Sequence, residues 1–241
     1  MNEGNKVAIV TGGGQGLGRA IALKAAQRGY SVGLIGRTEK RLLRVREEVG
    51  GSSSKCAIQV CDVGDWGAVE QAVQSIATEL GGVDVLVNNA GGWLGTSIED
   101  VSAEDMRNLF VGSVVGAANC SKAVIPFMRS RGGGFILNIG STSGLAGTTD
   151  SAVASTPKAA INIFSGTLAR EVNQYQIRVS VLHPASVEKQ RPFDEVPIAS
   201  ENGEYKRLGQ GQVADIAMFM LEQPANVAIR ELVVSPTNVF R

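Results

Sequence analysis

The run Thr11-Gly12-Gly13-Gly14-Gln15-Gly16-Leu17-Gly18 places five glycines directly after a β-branched apolar stretch and directly before a stretch of helical period. Glycines in that setting allow a tight turn and let backbone N–H groups approach a pyrophosphate, whose charge a helix N-terminus favours. A glycine-rich loop alone is weak evidence, and the strand-to-helix context is what makes this one a candidate phosphate cradle. The single histidine, His183, closes a late apolar run and titrates in the range useful for proton transfer. Three cysteines, Cys56, Cys61 and Cys120, cannot all pair within one chain and fit no common zinc spacing. They read as small apolar core groups in a reducing compartment.

These residues need elements to position them. Short β-branched runs at 6–11, 31–35, 55–60, 83–88, 135–139, 177–182 and 231–234 alternate with helical patterns at 16–28, 39–48, 65–80, 103–128, 152–173 and 212–222. That alternation is the pattern of repeated βαβ units and a parallel sheet. Most of the strand runs are apolar on both faces, as strands covered by helices on two sides must be. The expected fold is α/β, a single doubly wound parallel sheet of about seven strands in one domain over 1–241. The stretch 188–208 breaks the pattern with Pro192, Pro197 and mixed charge. After a late strand, such an insertion serves as a substrate lid or as a solvated connector.

Composition narrows the function. A chain of 241 residues, 44% hydrophobic and 19% charged, suits one full-sized α/β domain. Lys plus Arg and Asp plus Glu number 23 each, so the formal net charge is zero and nucleic acid is not an expected partner. The apolar runs fall short of the ~18–20 residues that span a bilayer. Met1-Asn2-Glu3-Gly4-Asn5-Lys6 lacks the blocks of a secretory signal. The expectation is a soluble, cytoplasmic protein with a small-molecule substrate and no membrane association.

The spacing Gly12-x3-Gly16-x-Gly18 resembles the short-chain dehydrogenase/reductase family. The resemblance runs in order through Asn88-Asn89-Ala90-Gly91 after the fourth strand, Ser141 after the fifth, Lys158 on the next helix and Pro184 after the sixth. It covers essentially the whole chain and implies a Rossmann fold binding a nicotinamide dinucleotide. It places Gly12, Gly14, Gln15, Gly16, Leu17 and Gly18 about the pyrophosphate, Asp62 and Val63 beside adenine, and Asn89, Ala90 and Gly91 beside the ribose. Lys158, Pro184 and Val187 complete the implied cofactor contacts. Residues after the second strand read the adenosine ribose in this family, where a carboxylate would accept from a free 2′-hydroxyl and repel a 2′-phosphate. Here the strand ends Ile35-Gly36-Arg37, and a guanidinium pairs with phosphate, which points to NADP(H). Gln15 stands where many NADP-binding relatives carry a second basic residue.

Catalysis in the family rests on an Asn-Ser-Tyr-Lys set. The Tyr exchanges the proton, the Ser binds the substrate oxygen, and the Lys grips the nicotinamide ribose and lowers the phenol's pKa. The resemblance assigns Ser141 and Lys158 to catalysis, with Ser143 a second hydroxyl. Ala154, however, stands four residues before Lys158, where the Tyr belongs. Ser113 replaces the Asn, and Ala185 and Lys189 depart from the Pro-Gly-x-x-x-Thr pattern after the sixth strand. A single Tyr-to-Ala replacement would leave those other departures unexplained, so the pattern reads as natural divergence of a repurposed site. Substitute proton donors are His183, Tyr205 and Asp150, while Trp93 shapes a pocket wall. Three functions follow: an atypical NADP(H)-dependent oxidoreductase acting on a small carbonyl, imine or alcohol; a non-redox cyclase, isomerase or dehydratase on the same scaffold; or a non-catalytic NADP(H)-binding protein. The family resemblance also implies a homodimer or homotetramer built through the helices at 103–128 and 152–173.

Overall fold

The computed structural model describes residues 6–50, 54–147, 152–188 and 207–238. Seven strands, β1 (Val7–Thr11), β2 (Ser31–Gly36), β3 (Cys56–Val60), β4 (Val85–Asn88), β5 (Gly134–Ile139), β6 (Ile177–Pro184) and β7 (Glu231–Val234), form one sheet in the order β3-β2-β1-β4-β5-β6-β7. Every pairing is parallel. The order reverses between β1 and β4, and in sheets of this kind ligands bind at that point, outside the strands' carboxyl ends.

Helices α1 (Gly16–Gln27), α2 (Glu39–Gly50), α3 (Trp66–Leu80), α4 (Ala103–Phe110), α5 (Gly116–Ser130), α6 (Ser143–Ala146), α7 (Ala152–Val172) and α8 (Gln210–Leu221) complete the described chain. Within β1, Ala8 and Val10 join a core formed with α1, α2 and α8, while Ile9 joins a second core formed with α3, α5 and α7. Two covered faces explain why that strand reads apolar at every position. A buried polar ladder ties the centre together: Asn88 Nδ2 donates to Asn138 Oδ1 at 2.8 Å, and Asn138 Nδ2 donates to Ser165 Oγ at 2.8 Å.

The structure departs from the sequence pattern in three places. Residues 103–128 are not one helix: α4 and α5 are joined by a π-helical turn, Val111–Val115, and α5 runs on to Ser130. The wider turn carries Ser113 inward beneath Gly91, where a Gly91 Cβ would stand 2.5 Å from Ser113 Oγ. The combined helix, Ala103–Ser130, is also apolar enough by length and composition to cross a membrane, yet Ala117, Cys120, Val124 and Met128 are buried in the fold. Strand β4 starts two residues late, and just before it the Asp84 carboxylate accepts from Val7 N at 2.7 Å and from Arg131 Nε at 2.7 Å. Residues 143–146 form a short helix that no periodicity signals.

Most of the expected lid lies outside the described residues, but its neck is visible. Val187 bridges Leu208, Glu188 N donates to Leu208 O at 2.7 Å, and Leu208 N donates to Ser186 O at 2.8 Å. These bonds join the described residues on either side of that stretch. All three cysteines are free, and burial pushes the thiols of Cys56 and Cys120 up to about 12 and that of Cys61 to about 11. Thiols so far from ionisation are inert packing groups.

Candidate functional site

The glycine loop lies across the top of β1. Gly12 and Gly16 have φ of 64° and 55°, left-handed values that favour glycine. A Cβ at Gly16 would meet nothing within 4 Å, so open space lies above the loop. Gln15 is the N-cap of α1, but its side chain makes no capping hydrogen bond. The first N–H groups of α1 therefore keep their donors for a ligand, and no acidic residue occupies the first turn to repel an anion.

Thr11, which the sequence offered only as part of the loop, stitches the loop to the end of β4. Its Oγ1 accepts from Asn89 N at 3.0 Å and from Ala90 N at 2.9 Å. Asn89 Nδ2 donates back to Thr11 O at 3.0 Å. Gly18 lies where any side chain would run into the Gly12 backbone and the Asn89 amide. Gly18→Ala is expected to lower the melting temperature, with overpacking costs of about 1–3 kcal/mol and roughly 2–4 °C for each. An unchanged thermal melt would show that the loop yields freely.

Asp62 and Val63 follow β3. Asp62 Oδ1 accepts from Gly64 N at 2.9 Å, and Asn119, unassigned from sequence, donates from Nδ2 to Val63 O at 3.0 Å. Arg37 is exposed at the end of β2. These residues line one rim of the crevice at the carboxyl ends of the strands.

Ser141, Ser143, Lys158 and His183 gather at the carboxyl ends of β5 and β6. Ser141 Oγ accepts from Ser143 Oγ at 2.9 Å and from Ser143 N at 3.2 Å. Two acceptances fill the lone pairs of a hydroxyl, so the Ser141 proton is left to donate elsewhere. Gly144 lets α6 lie close on α7, since a Cβ there would stand 2.8 Å from Lys158 Cβ. Lys158 Nζ donates to Ile139 O at 3.0 Å, and burial lowers its pKa to about 8. An ammonium has three donors, and among the described residues this one uses one on a protein acceptor.

His183 is fully buried, and Ser141 N donates to its Nδ1 at 3.2 Å. Nδ1 lies equally close, at 3.2 Å, to Ser141 O, and Nε2 lies 3.4 Å from Glu231 Oε1. Burial lowers the pKa of His183, so it is neutral at pH 7 and buttresses the Ser141 loop rather than serving as an acid. Ala154 is 1% exposed and belongs to an apolar cluster with Leu109 and Val153, flanked by Leu94, Val101 and Phe110. Pro184 is buried, Val187 half-buried and Trp93 exposed. Asp150, Lys189 and Tyr205 lie outside the described residues.

A dinucleotide fits these groups. The uncapped start of α1 suits a pyrophosphate, the two unused Lys158 donors suit ribose hydroxyls, and Ser113 Oγ is a buried hydroxyl without a partner among the described residues.

The family model for short chain dehydrogenases matches residues 6–192. An uncharacterised oxidoreductase of Staphylococcus saprophyticus is 31% identical over 237 residues, covering 96% of this chain and 97% of that one. Among solved structures, a metagenomic short-chain oxidoreductase in complex with NADP is 28% identical with a TM-score of 0.82, covering 97% of this chain and 98% of that one. L-Sorbose reductase from Gluconobacter frateurii, complexed with NADPH and L-sorbose, is 26% identical with a TM-score of 0.85, covering 98% of both chains.

Proposed function

The chain belongs to the short-chain dehydrogenase family, and from that premise we propose that it is an NADP(H)-dependent oxidoreductase acting on a small carbonyl, imine or alcohol. The observation that carries the reading is the pairing of an uncapped, glycine-lined helix start with Arg37, rather than a carboxylate, at the end of β2. Similar proteins whose structures hold NADP or NADPH support it.

When bound, the nicotinamide dinucleotide supplies a hydride. The chain's own residues do the rest. Gly12 to Gly18 and the start of α1 hold the pyrophosphate, and Asp62, Val63, Asn89, Ala90 and Gly91 line the adenosine side. Lys158 would turn its remaining donors to the nicotinamide ribose and supply positive charge there. Ser141, its lone pairs filled by Ser143, donates its proton to the substrate oxygen or nitrogen and polarises the bond. Pro184 and Val187 close the far side.

No phenol stands at position 154, and the proton needed by a carbonyl substrate comes from water. An iminium accepts hydride with no added proton, so that substrate class tolerates an alanine at position 154.

A fluorescence titration with NADPH and NADH, followed by a turnover screen of small carbonyls, cyclic imines and alcohols, tests the proposal. NADPH is expected to bind the more tightly. Arg37→Asp is expected to weaken NADPH by about tenfold or more, the worth of one charge-assisted phosphate contact, and to leave NADH no weaker. No affinity for either nucleotide would overturn the reading. Ile163 on α7 and Val115 in the π turn are exposed apolar residues on the helices through which we expect a homodimer or homotetramer to assemble.

A further inference from the structure

The start of α2 carries Arg37, Lys40, Arg41 and Arg44 against the single carboxylate of Glu39, in a chain whose net charge is zero. Arg41 is set apart from the others by its position. Leu42 is 1% exposed and wedged beneath the loop, its Cδ2 lying 3.4 Å from where a Gly14 Cβ would stand and 3.3 Å from where a Gly36 Cβ would stand. That anchor brings Arg41 Cβ to 3.0 Å from the Gly14 Cβ position, so only a glycine at 14 admits the helix so close. Arg41 N donates to Thr38 O at 3.1 Å, which sets the first turn of the helix. The Arg41 guanidinium then donates from Nη1 to Gln15 Oε1 at the mouth of the glycine loop. Arg44 is drawn away by Glu48, whereas Arg41 bonds an uncharged amide and, among the described residues, no carboxylate. Arg37 directly follows the end of β2, and Arg41 lies four residues further on, in the first turn of α2.

We propose that Arg41, positioned by Gln15, is a second guanidinium that grips the 2′-phosphate of the dinucleotide together with Arg37. It supplies from α2 the cation that the glycine loop lacks. The inference rests on the NADP(H) reading and deepens it. A guanidinium has five donors, and one bond to Gln15 leaves a fork free for phosphate oxygens.

Calorimetric titration of the full chain with adenosine 2′,5′-bisphosphate and with adenosine 5′-monophosphate tests it without turnover. The wild-type chain is expected to bind the bisphosphate more tightly, and raised salt should narrow the difference because the charges are exposed. Arg41→Gln is expected to weaken the bisphosphate by about 10- to 100-fold, the worth of a charge-assisted contact, with the monophosphate unchanged. Arg41→Lys should keep part of the preference, and Gln15→Ala should lose a smaller part by freeing the guanidinium. A wild-type preference that survives Arg41→Gln, or an equal loss for both nucleotides, overturns the assignment of Arg41 alone. A wild-type chain that binds both nucleotides alike overturns the NADP(H) reading and this inference with it.

Discussion

Replacing Lys158 with Met is expected to stop turnover while making the protein harder to melt. Among the described residues its ammonium has one protein acceptor, Ile139 O at 3.0 Å, and burial brings its pKa from 10.5 to about 8. At about 1.4 kcal/mol per pH unit, keeping the charge buried at neutral pH costs the fold up to roughly 3 kcal/mol. Met has nearly the same length and no charge, so it relieves that cost and gives back about 1 kcal/mol for the unpaired Ile139 carbonyl. The expected rise in melting temperature at pH 7 is several degrees, at roughly 2–4 °C per kcal/mol for a chain of this size. Turnover should fall by about a hundredfold or more, the usual consequence of removing a group that acts on the reacting atoms.

The sign of the pH dependence follows from the depressed pKa. Between about 8 and 10.5 the unfolded chain keeps the lysine proton that the folded chain has lost. Stability of the wild type therefore gains over that window, and the advantage of Lys158→Met shrinks as pH rises through it. Thermal melts of both proteins at pH 7 and pH 10 check this. A variant that melts lower at pH 7, or by the same margin at both values, would contradict it.

Ala154→Tyr is expected to destabilise the fold and to restore no ketone reduction. A phenol at that position needs space, and the alanine is 1% exposed against Leu109 and Val153. Adding a methylene to a packed core costs about 1–3 kcal/mol, and a ring stands at or above the upper end of that range. The melting temperature should fall by roughly 5–10 °C. Pairing the change with Leu109→Ala should recover part of the loss, because the two side chains compete for one volume and their effects do not add. A single variant that melts like the wild type and reduces ketones faster would mean that the position is open and lacked only its acid.

The strands were legible because covering helices on both faces demand unbroken apolar runs, as Val7 to Val10 show. The glycine loop was legible because its function depends on local backbone freedom. What escaped is set by contacts distant in sequence. The π turn at Val111–Val115 keeps a helical hydrophobic pattern, and its widening belongs with the seating of Ser113 under Gly91. Arg41 reaches the glycine loop by a bond to Gln15 across 26 residues, so the loop's own composition suggested a missing cation. His183 read as a candidate acid, yet its fully buried ring is committed to the backbone of Ser141. That an alanine stands four residues before Lys158 was readable from spacing alone, whereas its apolar cluster with Leu109 was not.

The most direct test of hydride transfer without a phenol uses NADPH deuterated at the transferable position of C4, with each substrate that turns over. Mass spectrometry of the product and absorbance at the reduced-nicotinamide band are followed together. One deuterium per product molecule, with one NADPH consumed for each, is the predicted result. Unlabelled product formed while the absorbance stays constant would contradict it and leave the scaffold to non-redox chemistry.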